Sequence, residues 1–168
     1  MSCMNNIIFI GFMGSGKSTV ARRLSQCLSI PWVEMDALVY QKTETKNMHE
    51  VFAKGGEFLL RTTEIAIAQE YASQKNLIIS TGGGVVLNKI ILDFFKQAGG
   101  KVIFLNATFD TLAKRLEKDE ERPLFKKDTN TKKLYEFRWP LYVNYADEIL
   151  NVDNQSVDDI VKGVLNGL

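Results

Sequence analysis

Residues 11–18 read G-F-M-G-S-G-K-S and match G-x-x-x-x-G-K-[ST], the phosphate-binding loop. The apolar run Ile7-Ile8-Phe9-Ile10 precedes the loop, and residues 18–28 after it have a helical pattern. Strand, loop and helix in that order are the context the motif requires. Without Cβ atoms, the glycines let several backbone N–H groups turn inward around a phosphate. The helix behind them adds the positive end of its dipole. Lys17 has the reach for the terminal phosphates, and the Ser18 hydroxyl is a ligand for Mg²⁺. This stretch predicts an α/β fold and a bound nucleotide.

Working outward, the chain has 168 residues, the size of one domain with a real core. Hydrophobic residues make up 45% and charged residues 24%, and the net charge of +1 gives no field to draw nucleic acid or an anionic membrane. Cys3 and Cys27 form no C-x-x-C pair, which suits free thiols in a cytoplasmic protein. His49 is the only histidine, which removes histidine-based metal sites and Ser–His catalysis from consideration. The start of the chain does not have the layout of a secretory signal, and no apolar run approaches the ~20 residues of a membrane helix.

Strand and helix patterns alternate along the chain. Strands are expected at 7–10, 31–34, 77–80, 101–105 and 148–150. Helices are expected near 17–28, in one or two short pieces over 37–54 with a break near 43–46, then over 57–73, 87–97, 108–116, 131–145 and 157–165. Thr108 is a candidate N-cap. This order implies helices on both faces of a parallel sheet, a three-layer α/β/α domain over residues 1–168. Ligands of such sheets bind beyond the carboxyl ends of the strands, so the residues that follow each strand carry the site.

Glu34-Met35-Asp36 follows the second strand, and strand alternation puts both carboxylates on one side. One near Mg²⁺ and one facing an acceptor hydroxyl would equip the site for phosphoryl transfer. Asp36 reads equally well as the N-cap of the next helix. Gly82-Gly83-Gly84 follows the third strand; alone it is a flexible turn, whereas opposite a phosphate loop it offers backbone N–H groups to a ligand. Glu64 lies three residues after Arg61, side by side with it on a helix, as an exposed ion pair or as a means of aiming Arg61 at an anion. Arg138 precedes Trp139-Pro140, and a proline in a helix interior predicts a kink there. Two arginines make a fork for a carboxylate. The charged segment 117–128, with Arg122 and Pro123-Leu124-Phe125, is a solvated loop or a mobile lid that excludes water.

In order, the chain carries I-G-F-M-G-S-G-K-S-T (10–19), the acidic pair ending at Asp36, G-E-x-x-x-R-x-x-E (56–64), S-T-G-G-G (80–84), R-P-L (122–124) and R-x-P-L-Y-x-x-x-A-D (138–147). Together these resemble the shikimate kinases, small P-loop kinases of the nucleoside-monophosphate-kinase type, from Ile7 to about Ile160. The resemblance implies ATP-dependent phosphorylation of the 3-hydroxyl of shikimate, in the chorismate pathway of aromatic amino-acid biosynthesis, by a cytoplasmic monomer. It implies a five-stranded parallel sheet of order 2-3-1-4-5, a lid at about 117–128 and a substrate-binding region at about 34–64. The nucleotide would lie on Gly14, Ser15, Gly16, Lys17, Ser18 and Thr19, with Arg115, Asn154 and Gln155 flanking the adenine and Arg122 over the phosphates. Shikimate would meet Asp36, Arg61, Gly82, Gly83, Gly84 and Arg138, with Asp36, Lys17 and Arg122 catalytic. Ser18 would ligate Mg²⁺, with Glu34 and Ser80 behind it through water. The family usually has Asp at the position of Glu34 and Phe at that of Leu60. Two rival readings are a gluconate-type small-molecule kinase and a catalytically silent nucleotide- or shikimate-binding regulator.

Overall fold

Every side chain of β1 (Ile7–Ile10) is buried, as expected of a strand covered by helices on both faces. The computed structural model describes residues 4–116 and 129–168; the expected lid with Arg122, and Cys3, lie outside them. From β1 the chain runs through α1 (Lys17–Leu28), β2 (Trp32–Glu34), α2 (Met35–Thr43), α3 (Met48–Ala72) and β3 (Ile78–Ser80). A 3₁₀ turn (Val85–Leu87), α4 (Lys89–Gln97), β4 (Lys101–Asn106) and α5 (Phe109–Leu116) follow, and then α6 (Thr129–Tyr145), β5 (Glu148–Asn151) and α7 (Val157–Asn166).

The five strands are parallel, in the order β2-β3-β1-β4-β5. Right-handed crossovers fix the layers. The chain steps one way from β1 to β2 and the other way at every later crossover, so α1 lies on one face and α2–α6 on the other. The packing agrees, with α1 against α7 and α3 against α2 and α4. The loops after β1 and β3 therefore leave neighbouring strands toward opposite faces, which opens a crevice between them at the carboxyl edge.

The start of α2 differs from the sequence-based expectation. The expected N-cap role of Asp36 fails, because α2 begins directly at Met35 with Glu34 as its cap residue. Asp36 thus sits in the first helical turn rather than on an alternating strand. The pieces expected over 37–54 and 57–73 correspond to α2 and to α3, which is two helical stretches joined by a kink at Gly56. The Asn47 side chain caps α3 by accepting from the Glu50 amide at 2.9 Å. Gly56 interrupts the backbone of α3 (φ 64°, ψ −159°), just before the residue where the longer helix was expected to begin. Pro140 lies within α6, which is helical on both sides of it.

Asn6 ties the start of the sheet together. Buried at the entrance to β1, it donates from Nδ2 to the carbonyls of Tyr71 (3.3 Å) and Gln74 (2.9 Å) and accepts from the Leu77 amide at 3.2 Å. The end of α3 and the start of β3 both hang on this one amide. Replacing Asn6 with Leu orphans three backbone groups and is expected to cost about 2 kcal/mol, read as a lower urea midpoint with an unchanged m-value.

Candidate active site

α1 starts without the cap that α3 and α7 possess. Its N-cap residue is Gly16 (φ 95°), no side chain caps it, and no acid lies in its first turn. In α7 the Ser156 side chain accepts from the Asp159 amide, and Asp158 and Asp159 lie in the first turn. The orphan N–H groups of α1, at the positive end of its dipole, make an anion site directly above β1. Lys17 is buried beside them and donates from Nζ to the carbonyls of Gly11 (2.8 Å) and Phe12 (3.0 Å).

Ser18 is held by two neighbours. Its hydroxyl donates to Glu34 Oε1 at 2.6 Å and lies 3.1 Å from the Ser80 hydroxyl. Strand register causes this: Phe9 pairs with Ser80, and Ser80 with Glu34, across β1, β3 and β2. The Glu34 carboxylate reaches Ser18 directly, so the longer side chain is accommodated. With its proton on Glu34, the Ser18 oxygen keeps a lone pair for another partner. Hydroxyl and carboxylate oxygens are the hard donors Mg²⁺ takes, so these residues fit the ion.

Each outer glycine of the triplet makes room for one functional group. A Cβ on Gly82 would stand 2.8 Å from Asp36 Oδ1, and one on Gly84 would stand 2.8 Å from an Arg61 terminal nitrogen. Asp36 shares a cleft of about 190 Å³ with Lys17, Ser18, Glu34, Gly82 and Gly83. Arg61 pairs through Nη1 with Glu64 Oε2 at 2.7 Å and lies 3.4 Å from Glu57. Glu64 is buried, and burial raises its pKa above the ordinary 4.5; Arg61 opposes that rise, and the nearby Asp36 and Glu57 add to it. Glu64 is buried and Arg61 largely so, which excludes the reading of an exposed pair. Arg138 rests with its guanidinium carbon 5.9 Å from the centre of the Phe12 ring, and its Nε is buried with no hydrogen-bond partner. Leu60 is buried in the core beneath this region.

Across α1, a second groove of about 380 Å³ is lined by Gly14, Gly16, Thr19, Arg115, Leu116 and Gln155. Arg115 donates to the carbonyls of Gly14 (3.2 Å), Ser15 (3.3 Å) and Val152 (3.3 Å), which joins the phosphate loop to the segment after β5. Asn154 is left-handed there (φ 56°), and Gln155 Nε2 donates to the Asn151 carbonyl at 2.8 Å. The described residues expected to flank adenine are therefore together beside the loop. Sequence reading did not single out Phe12, which lies under Arg138, or Tyr142, whose hydroxyl donates to the Gly83 carbonyl. The only signal for them was their place inside motifs, next to residues with an obvious charge.

A family model described as shikimate kinase matches residues 13–168. The chain belongs to the shikimate kinase family. A shikimate kinase of Dictyoglomus turgidum is 34% identical, the match covering 98% of this chain and 97% of that one. One of Persephonella marina is 36% identical, covering 96% and 98%. The structure of shikimate kinase from Acinetobacter baumannii in complex with shikimate superposes with a TM-score of 0.86 at 30% identity, over 97% of this chain and 92% of that one. A gluconokinase from Sinorhizobium meliloti, at 18% identity and a TM-score of 0.61, shares the fold alone. Family membership makes the chain an ATP-dependent phosphotransferase.

Two expected outcomes follow from this geometry. Gly84→Ala must displace the Arg61 guanidinium, and a rise of about ten-fold in the KM for the acceptor is expected, with the KM for ATP unchanged. Glu64 gives a pH signature. Its folded pKa lies above the unfolded value, so its contribution to stability is complete below pH 4.5 and is lost as pH rises through the elevated value. Urea titrations of Glu64→Gln across that range should show the fall with rising pH reduced relative to the wild-type chain.

Proposed function

We propose that this chain transfers the γ-phosphoryl group of Mg²⁺-ATP to the 3-hydroxyl of shikimate, with Asp36 facing that hydroxyl. The observation that carries the reading is the seating of Asp36 against Gly82, in one cleft with Lys17 and Ser18. A carboxylate so placed accepts the hydroxyl proton as the oxygen bonds to phosphorus. The bond from the γ-phosphorus to the bridging oxygen breaks, and ADP leaves with the electron pair.

The rest is positioning and charge neutralisation. The bare N-terminus of α1 and the Lys17 ammonium take the phosphates, with Gly14, Ser15, Gly16 and Thr19 forming the cradle. Arg115, Asn154 and Gln155 border the adenine. Arg61, aimed by Glu64, and Arg138 hold the shikimate carboxylate, while Gly82, Gly83 and Gly84 turn backbone N–H groups to the acceptor. Ser18, with Glu34 and Ser80 behind it, would hold Mg²⁺, which supplies charge neutralisation on the phosphates when bound. The expectation for Arg122 rests on the R-P-L motif alone. In this reading the chain is one domain acting as a cytoplasmic monomer on two small molecules, without nucleic acid or membrane. No helix among the described residues is long and apolar enough to cross a membrane.

A coupled assay of ADP release tests the reading. Release should require shikimate and should not be supported by gluconate; binding of both ligands without release would establish the silent regulator instead. Arg138→Ala should raise the shikimate KM by about a hundred-fold or more and leave the ATP KM nearly unchanged. Asp36→Asn should lower kcat by about 10²–10⁴; a change of only a few-fold would leave Asp36 as an orienting group.

A further inference from the structure

Tyr142 is the largest fully buried side chain among the described residues. Its ring stacks on Phe104, with centroids 5.0 Å apart and planes 25° apart. Phe would fill this space without the cost of burying a hydroxyl, so the oxygen needs its own account. The hydroxyl donates to the Gly83 carbonyl. Burial raises the phenol pKa far above its ordinary value, although Arg138 opposes the shift, so the proton needed for donation stays in place.

All three carbonyls of the triplet are engaged. Gly82 accepts from the Val85 amide (3.2 Å) and Gly84 from the Leu87 amide (3.0 Å), both within the local 3₁₀ turn. Gly83 receives no such local bond and accepts from Tyr142 on α6. Among the described residues, no hydrogen bond occupies the N–H groups of Gly82, Gly83 or Gly84. A trans peptide is planar, so the direction of the Gly83 carbonyl fixes the Gly84 N–H in the opposite direction. In a run of three glycines no side chain resists rotation of that peptide.

The geometry points to Tyr142 as a positioning residue for the acceptor: its hydroxyl locks the Gly83–Gly84 peptide so that the triplet presents N–H groups to shikimate. This rests on the assignment of the triplet to shikimate. Without the hydroxyl, the peptide is free to turn its carbonyl toward the acceptor.

The test is Tyr142→Phe, which keeps the ring. The shikimate KM should rise about five- to ten-fold, as for the loss of one buried hydrogen bond. Calorimetric affinity for shikimate should fall by a similar factor, while the ATP KM and the melting temperature stay close to wild type. Phe104→Leu loosens the same packing but keeps the hydroxyl, and should lower the melting temperature without splitting the two KM values. An unchanged shikimate KM in Tyr142→Phe, equal rises in both KM values, a chain that does not fold, or the same split in Phe104→Leu would each overturn the proposal. A wild-type chain inactive on shikimate would instead refute the function on which the proposal rests.

Discussion

Phe9 and Ser80 face each other in neighbouring parallel strands, and that register sets the distances at the catalytic edge. It brings the loop after β1 and the loop after β3 to the same height. Phe9 receives two bonds from Thr81, one from the amide and one from the hydroxyl, so the junction is clamped immediately before the glycines begin. A slip of one residue along β3 would reverse which side chains face each layer and carry Ser80 away from Ser18. The burial of β1 and the Asn6 network at its other end keep the register from slipping. The core and the site are thus consequences of one strand pairing.

The site is also organised by what it leaves unbonded. α3 and α7 cap their first turns with side chains, whereas α1 has none. The carbonyls of the glycine triplet are all occupied, and its N–H groups are left over. Both features border one cleft, lined by Gly16, Lys17, Ser18, Gly82 and Gly83. Of the carboxylates there, Glu34 is tied to Ser18 and Glu64 to Arg61, and Asp36 lies against Gly82.

Much of this was legible in the sequence because several of its signals are local. The phosphate loop declares itself through glycine spacing after an apolar run, and the alternation of strands and helices gives the layer order. The side-by-side placement of Arg61 and Glu64 follows from helix geometry, although the burial of the pair could not be read from spacing. Asp36 was misplaced by two steps of strand alternation because nothing in W-V-E-M-D marks where extended backbone turns helical. Gly56 reads as a terminator and acts as one: its left-handed backbone puts a kink between the two helical stretches of α3, just before the expected start at residue 57. Tyr142 and Phe12 were invisible as site residues because their roles depend on α6 crossing behind the loops after β1 and β3. That contact joins residues about 60 to 130 positions apart, and no local period encodes it.

The uncapped α1 has a thermodynamic consequence for the whole molecule. A helix that lacks its own cap is completed only when an anion arrives, so part of the folding free energy resides in the ligand. Anything that binds the folded chain alone adds RT ln(1 + [L]/Kd), about 2.7 kcal/mol at a hundred-fold excess over the dissociation constant. That is comparable with the whole Asn6 network. The melting temperature of this chain is therefore a property of the chain together with its nucleotide concentration, and the unliganded protein is the less stable of two forms.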